Sequence, residues 1–195
     1  MNPLKNPWYS ALTGLVLAVI IAFAMRTGTV NHAEIVVWFH VVVGIMWIGL
    51  LYYFNFVQVP AVNAALADKE PGPAAINKYV APKALWFFRW AALLTWLSGA
   101  ATLYKMGIMH EAMTFTSASA NVNILGVGAW LGTIMLINVW GLIWPNQKKL
   151  LGFKPATDEE KAKAKIVALY ASRTNTLLSL PMLLGMTAYA HGLPF

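Results

Sequence analysis

The chain has 195 residues, of which 59% are hydrophobic and only 11% charged, and its mean hydropathy is +0.60. A soluble domain carries about a quarter charged residues, so the composition predicts an integral membrane protein rather than a soluble enzyme. Cysteine is absent, which leaves no disulfide framework, no thiolate metal site and no covalent c-type haem attachment in this sequence. The net charge of +7 comes from basic residues grouped between apolar stretches, a pattern that points to anionic lipid and topology rather than to nucleic acid.

Five apolar stretches long enough to cross the hydrocarbon of a bilayer follow in order, each near the ~20 residues a spanning helix needs. The first covers about residues 8–25. Lys5 before it and Ala22-Phe23-Ala24 near its end resemble a secretory leader, but it is read here as a retained span. The second covers about 34–59 and is long enough to tilt. The third covers about 84–104, the fourth about 122–144 with Pro145 ending it, and the fifth about 166–191. The whole, 1–195, is therefore expected to be one all-α membrane domain of five spans.

The basic residues orient it. With the N-terminus in the cytoplasm, ten of the fourteen Lys and Arg fall on that side, from Lys5 to Lys165, and only Arg26 and Lys105 fall outside. Arg89 and Arg173 lie within spans. The expectation is an N-terminus in the cytoplasm and a C-terminus on the periplasmic side of a bacterial inner membrane, in contact with its lipids. Ahead of the fifth span, Thr157 and Glu160 have the spacing of a capping box, with Pro155 just before, so a helix is predicted to start at Asp158 and run unbroken into the span.

The histidines then all fall in the outer half. His32 and His110 are placed in outer loops, His191 at the outer end of the fifth span, and His40 about six residues inside the second span, roughly 9 Å deep at 1.5 Å per residue. An ionisable side chain at that depth is costly unless partnered, which makes it a candidate functional residue. Helical spacing puts Gly44, Trp47 and Leu51 on the face of His40, and Gly44 leaves room beside the ring for a flat cofactor or a close helix. Two readings stand: a histidine hydrogen-bonded to a neighbouring helix, or an axial ligand to haem b. His191, and after it His110, are the candidates for a second ligand.

Other constellations carry less. Met106, Met109, His110 and Met113 are spaced as one helix face, which suits Cu(I) but also ordinary packing. Asn55, Gln58, Arg89, Asn138, Ser172, Arg173, Asn175, Thr176 and Ser179 are expected to form interhelical hydrogen bonds. Arg173 is suited to an anionic group such as a haem propionate. Gly128 and Gly132 form a GxxxG suited to helix packing. No hydrolase, phosphate-loop or dinucleotide motif is present.

Three segments together resemble a known family. W-F-H-V-V-V-G-I-M-W-I-G-L-L-Y-Y-F-N-F (residues 38–56), N-V-W-G-L-I-W-P-N-Q-K-K (138–149) and A-S-R-T-N-T-L-L-S-L-P-M-L-L-G-M (171–186) are similar to the membrane domain of the cytochrome-c-fused bacterial urate oxidases. The resemblance implies site positions at His40, Gly44, Trp47, Arg173 and Asn175. It also implies a membrane oxidoreductase role, in which electrons pass to a cytochrome c. With no C-x-x-C-H in this sequence, that acceptor is expected to be a separate cytochrome or a partner subunit of a larger membrane complex. The chain also broadly resembles small haem-binding helical membrane proteins, which implies haem b at His40. The competing expectation is a cofactor-free accessory subunit of such a complex.

Overall fold

The structure is a computed structural model that describes residues 2–26 and 28–194. Their regular structure is entirely helical, with no strand among them. They divide into two compact units, residues 1–32 and residues 33–195.

In the first unit a single 3-10 turn, Pro3–Lys5, leads into α1, Pro7–Ala24. The start of α1 is dictated locally. The Asn6 side chain accepts the Trp8 N–H at 2.9 Å, and Pro7 occupies a position where a missing N–H costs nothing.

The second unit is built from four long helical rods and a short connector. Helix α2, His32–Tyr53, continues through a π-helical turn, Phe54–Gln58, into α3, Val59–Asp68. A π turn at Ile76–Val80 precedes α4, Ala81–Lys105. The connector α5 is Met109–Thr114. Helix α6, Ala120–Ile137, passes through a π stretch at Asn138–Ile143 into α7, Trp144–Leu150. Helix α8 is Asp158–His191.

The three π stretches share one cause. Each ends two residues before a proline: Pro60, Pro82 and Pro145. A proline inside an α-helix lacks the N–H for the carbonyl four residues back and its ring collides with that carbonyl. A wide i→i+5 turn just ahead shifts the ladder, and the N–H groups of Val59, Ala81 and Trp144 reach back five residues to Phe54, Ile76 and Val139. Pro145 therefore does not end the fourth apolar helix, as its position in the sequence predicts; the helix crosses it and stops at Leu150. The same device carries the second helix past residue 59 to Asp68.

Helix α8 starts as the sequence predicts. The Thr157 side chain accepts the Glu160 N–H at 3.2 Å, and a Glu160 carboxylate oxygen accepts the Thr157 N–H at 3.0 Å. That backbone hydrogen bond, helped by nearby Lys149, holds the Glu160 carboxyl below the usual carboxylate range.

Three rods are long and apolar enough to cross a membrane: Pro7–Ala24, His32–Asp68 and Ala120–Leu150. Helices α4 and α8, at 25 and 34 residues, have the length. They are less apolar, because α4 carries Lys83, Arg89 and Lys105, and α8 opens on the charged run DEEKAKAK and holds Arg173.

The core of the second unit joins α2, α4, the α6–α7 rod and α8. Trp47, Leu51 and Phe54 meet Phe88, Ala91 and Ala92, with Met135, Val139 and Met182 closing the other side. Phe54 and Phe88 stack edge to face at 5.5 Å. Between α6 and α8 the packing element is glycine. A Cβ on Gly185 would lie 2.8 Å from the Ile124 carbonyl oxygen and 2.9 Å from the Gly128 Cα, so the two backbones touch there. Gly128 fulfils the packing role expected of the GxxxG, whereas a Cβ on Gly132 would meet nothing within 4 Å. Gly126, outside that motif, packs against the carbonyl of Ala112 in α5.

Candidate functional site

His40 sits on α2 facing α4, half-buried. Its Nδ1 lies 2.8 Å from the Thr95 carbonyl oxygen and 3.2 Å from the Ser98 hydroxyl. A carbonyl oxygen can only accept, so Nδ1 carries the proton and donates it. The Ser98 hydroxyl spends its own proton on the Leu94 carbonyl at 2.6 Å and meets His40 as an acceptor. Nε2 is then the unprotonated nitrogen, and among the described residues no hydrogen bond reaches it.

Glycine next to the ring is required, but not at the position the sequence suggested. Gly44 lies against the Thr95 methyl, 3.7 Å from where its Cβ would be. The room for the imidazole comes from Gly99 on α4, where a Cβ would stand 2.9 Å from His40 Cε1 and 3.2 Å from Nδ1. A Cβ at Gly44 would make only an ordinary contact, whereas one at Gly99 would collide with the ring; Gly99 is the glycine that seats it. The triplet Thr95, Ser98 and Gly99, spaced i, i+3 and i+4, is thus the cradle of His40. Its trace in the sequence is a cluster of small polar residues on an otherwise bulky helix.

Trp47, two turns beyond His40 on the same face, is 2% exposed, and its indole N–H finds no acceptor among the described residues. The Gln58 side-chain oxygen, in the π turn of the same rod, is likewise buried and unpartnered. Buried polar atoms are normally satisfied, so these two stand out in a bundle that otherwise satisfies its polar groups. Tyr52 meets the Ser179 hydroxyl at 2.8 Å, Asn55 donates to Ser172 at 2.8 Å, and Asn138 donates to the Asn175 oxygen at 2.9 Å.

The remaining site residues from the sequence lie elsewhere. Asn175 is fully buried, and both ends of its amide face α6: the oxygen accepts from Asn138, and the nitrogen donates to the Met135 carbonyl at 3.0 Å. Arg173, two residues earlier, points to the exposed side of α8. His191 is the last residue of α8 and is exposed. No hydrogen bond joins it to His40 among the described residues. His32 and His110, expected in loops, are the first residue of α2 and a residue of α5.

The methionine and histidine set does not form one helix face. Helix α4 ends at Lys105, and Gly107 turns the chain at φ +72°, a left-handed conformation glycine adopts without strain. Met106 lies before that turn, and Met109, His110 and Met113 after it, on α5. Among the described residues no group of three or more His, Cys, Asp or Glu is placed to hold a metal ion.

An open apolar groove lined by Ile45, Met46, Gly49, Leu50 and Phe87 contains none of these residues.

These features define an all-α protein with helices of membrane-spanning length and a histidine whose ring is anchored by a backbone carbonyl of the adjacent helix. Residues 102–195 match the model of the family described as urate oxidase N-terminal. The resemblance drawn from the sequence therefore holds for the end of α4 and for α5 to α8, the segment that carries Arg173, Asn175, His191 and the α6–α8 glycine contact. The match does not reach His40. No curated protein and no solved structure matches the chain.

Proposed function

We propose that this chain is a membrane electron-transfer module that binds haem b through His40 Nε2 and passes electrons to a separate outer-facing cytochrome or a partner subunit. One observation carries the reading: Nδ1–H is fixed on the Thr95 carbonyl while Nε2 is left without a protein partner. Histidines that ligate metals characteristically hold their other ring nitrogen in this way, which sets the tautomer and raises the basicity of the ligating atom.

The residues around the ring suit an imidazole that would hold haem iron. The Thr95 carbonyl orients it, Gly99 gives it space, and the Ser98 hydroxyl limits its rotation. The buried Trp47 N–H on the same face is a free donor for an oxygen of a bound group. Haem would supply the one-electron chemistry. The protein's part is to hold the imidazole neutral and oriented and to keep water from it with the apolar walls of α2 and α4.

In this reading α4 and α8 cross the membrane as well as the three more apolar rods. The chain then has five spans in the bacterial inner membrane, with the N-terminus in the cytoplasm and the C-terminus outside. The uneven distribution of lysine supports that orientation. Because the chain has no cysteine, single cysteines report it directly. Lys5→Cys should resist a membrane-impermeant thiol reagent in intact cells, and Leu193→Cys should react; the reverse pattern would refute the orientation.

The haem assignment is tested by the reduced-minus-oxidised visible spectrum of the purified protein. A b-type spectrum is expected, lost in His40→Ala and altered in Gly99→Ala, whose new methyl would push the ring off the Thr95 carbonyl. Absence of haem from correctly expressed wild-type protein would reject it. The second reading, a cofactor-free accessory subunit, is favoured by the same Thr95 and Ser98 contacts, which are also those of a packing histidine between two helices. It predicts a colourless chain that co-purifies with a larger membrane oxidoreductase.

A further inference from the structure

Arg89 lies in the first third of α4, where the bundle meets α7, and its guanidinium stacks on the Trp144 ring with its carbon 3.8 Å from the ring centroid. Lys148, one turn further along α7, brings a second cation to the same indole at 5.8 Å. The indole is itself fixed in place: Trp144 caps the π turn that carries the helix over Pro145 and packs against Phe153. The backbone at Arg89 is tied to the neighbouring rod by the Trp140 N–H, which donates to its carbonyl at 3.2 Å.

Two positive charges thus meet one indole, yet no carboxylate pairs with either among the described residues. Glu160, at the start of α8, is engaged by Lys149 at 3.6 Å. Stacking satisfies the flat face of a guanidinium and leaves its N–H edges free. None of those donors has a protein acceptor among the described residues. A pre-oriented fork, a second cation on the same indole and no internal counter-ion suit a phosphate group.

We propose that Arg89, Trp144 and Lys148 form a binding site for the phosphate of an anionic lipid headgroup. The site stands where a rod of membrane-spanning length ends in a lysine-bearing helix, so it faces the headgroup layer. The proposal rests on the membrane placement of these helices and is independent of haem.

The test is reconstitution of the full chain into nanodiscs of phosphatidylcholine with a minor fraction of phosphatidylglycerol, followed by mass spectrometry of the lipid retained on gentle release. Wild-type protein should retain phosphatidylglycerol above its share of the bilayer. Arg89→Gln and Lys148→Gln should each reduce that enrichment about fivefold. Lys165→Gln, an exposed change of equal charge on α8, should leave it unaltered. The Lys148 side chain makes no hydrogen bond or ion pair among the described residues, and its backbone carbonyl keeps the Lys154 N–H whatever side chain it carries, so its variant tests the site without disturbing the fold. Equal losses in all three variants, or no enrichment in wild type, would overturn the proposal. Displacement of the retained lipid by inorganic phosphate would assign the site to a soluble phosphate and overturn the lipid source. Failure of the chain to enter nanodiscs would refute the membrane placement as well, an outcome separate from incorporation without lipid preference.

Discussion

Gly185→Ala is expected to destabilise the bundle by about 1–3 kcal/mol, the usual cost of forcing extra atoms into a packed interior. The added methyl would stand 2.8 Å from the Ile124 carbonyl oxygen and 2.9 Å from the Cα and amide nitrogen of Gly128. All of these are backbone atoms, so no side chain can swing aside, and α6 and α8 must separate. Gly128→Ala meets the Met182 carbonyl oxygen and the Met186 nitrogen at 3.1 and 3.2 Å, a milder conflict from the other side of the same contact. Gly132→Ala is the control: nothing lies within 4 Å of its Cβ, and alanine is the better helix former by up to about 1 kcal/mol. Denaturant titrations in detergent, followed by circular dichroism, should rank the variants with Gly185→Ala least stable and Gly132→Ala at or above wild type. A Gly185→Ala protein that unfolds with the wild type would show that the helices do not meet there.

The second large effect is expected at Asn175. Its amide joins α8 to α6 twice, accepting from Asn138 and donating to the Met135 carbonyl, at a fully buried position. Asn175→Leu removes both bonds at near-constant volume and leaves the Asn138 amide donor without its partner. The cost should be about 1–3 kcal/mol, because an unsatisfied buried group loses its solvation without recompense. The double variant Asn138→Leu/Asn175→Leu should recover part of that loss, since the stranded donor is gone. Strict additivity in the same denaturant titration would dismiss the pair as a coupled unit. A haem spectrum unchanged by Asn175→Leu would also separate this residue from His40, which fits an amide whose two bonds both go to the α6–α7 rod.

Much of the architecture is written in local sequence. Apolar runs of about twenty residues dictate long helices, because a chain with so few charges can satisfy its backbone only by helical hydrogen bonding once it leaves water. The start of α8 is equally local: Thr157 and Glu160 need only each other's backbone to form the capping box. His40 stands out in sequence because a lone imidazole in an apolar run is rare. The similarity of residues 171–186 to a family motif is likewise a property of the string alone, and residues 102–195 carry the family match.

Contacts between helices were decided by the tertiary structure. Pro145 looks like a helix end because proline forbids the ordinary hydrogen bond, but the π turn ahead of it re-registers the ladder and the helix runs on to Leu150. Gly44 was the glycine nearest His40 in sequence, whereas the glycine that seats the ring is Gly99, 59 positions away on α4. Arg89 and Trp144 are far apart in the chain and meet only because the early part of α4 lies beside the start of α7. Helical periodicity tells which residues share a face, but not which face of another helix will be opposite. That pairing is set by the fit of small residues against bulky ones across the whole interface, and no local rule contains it.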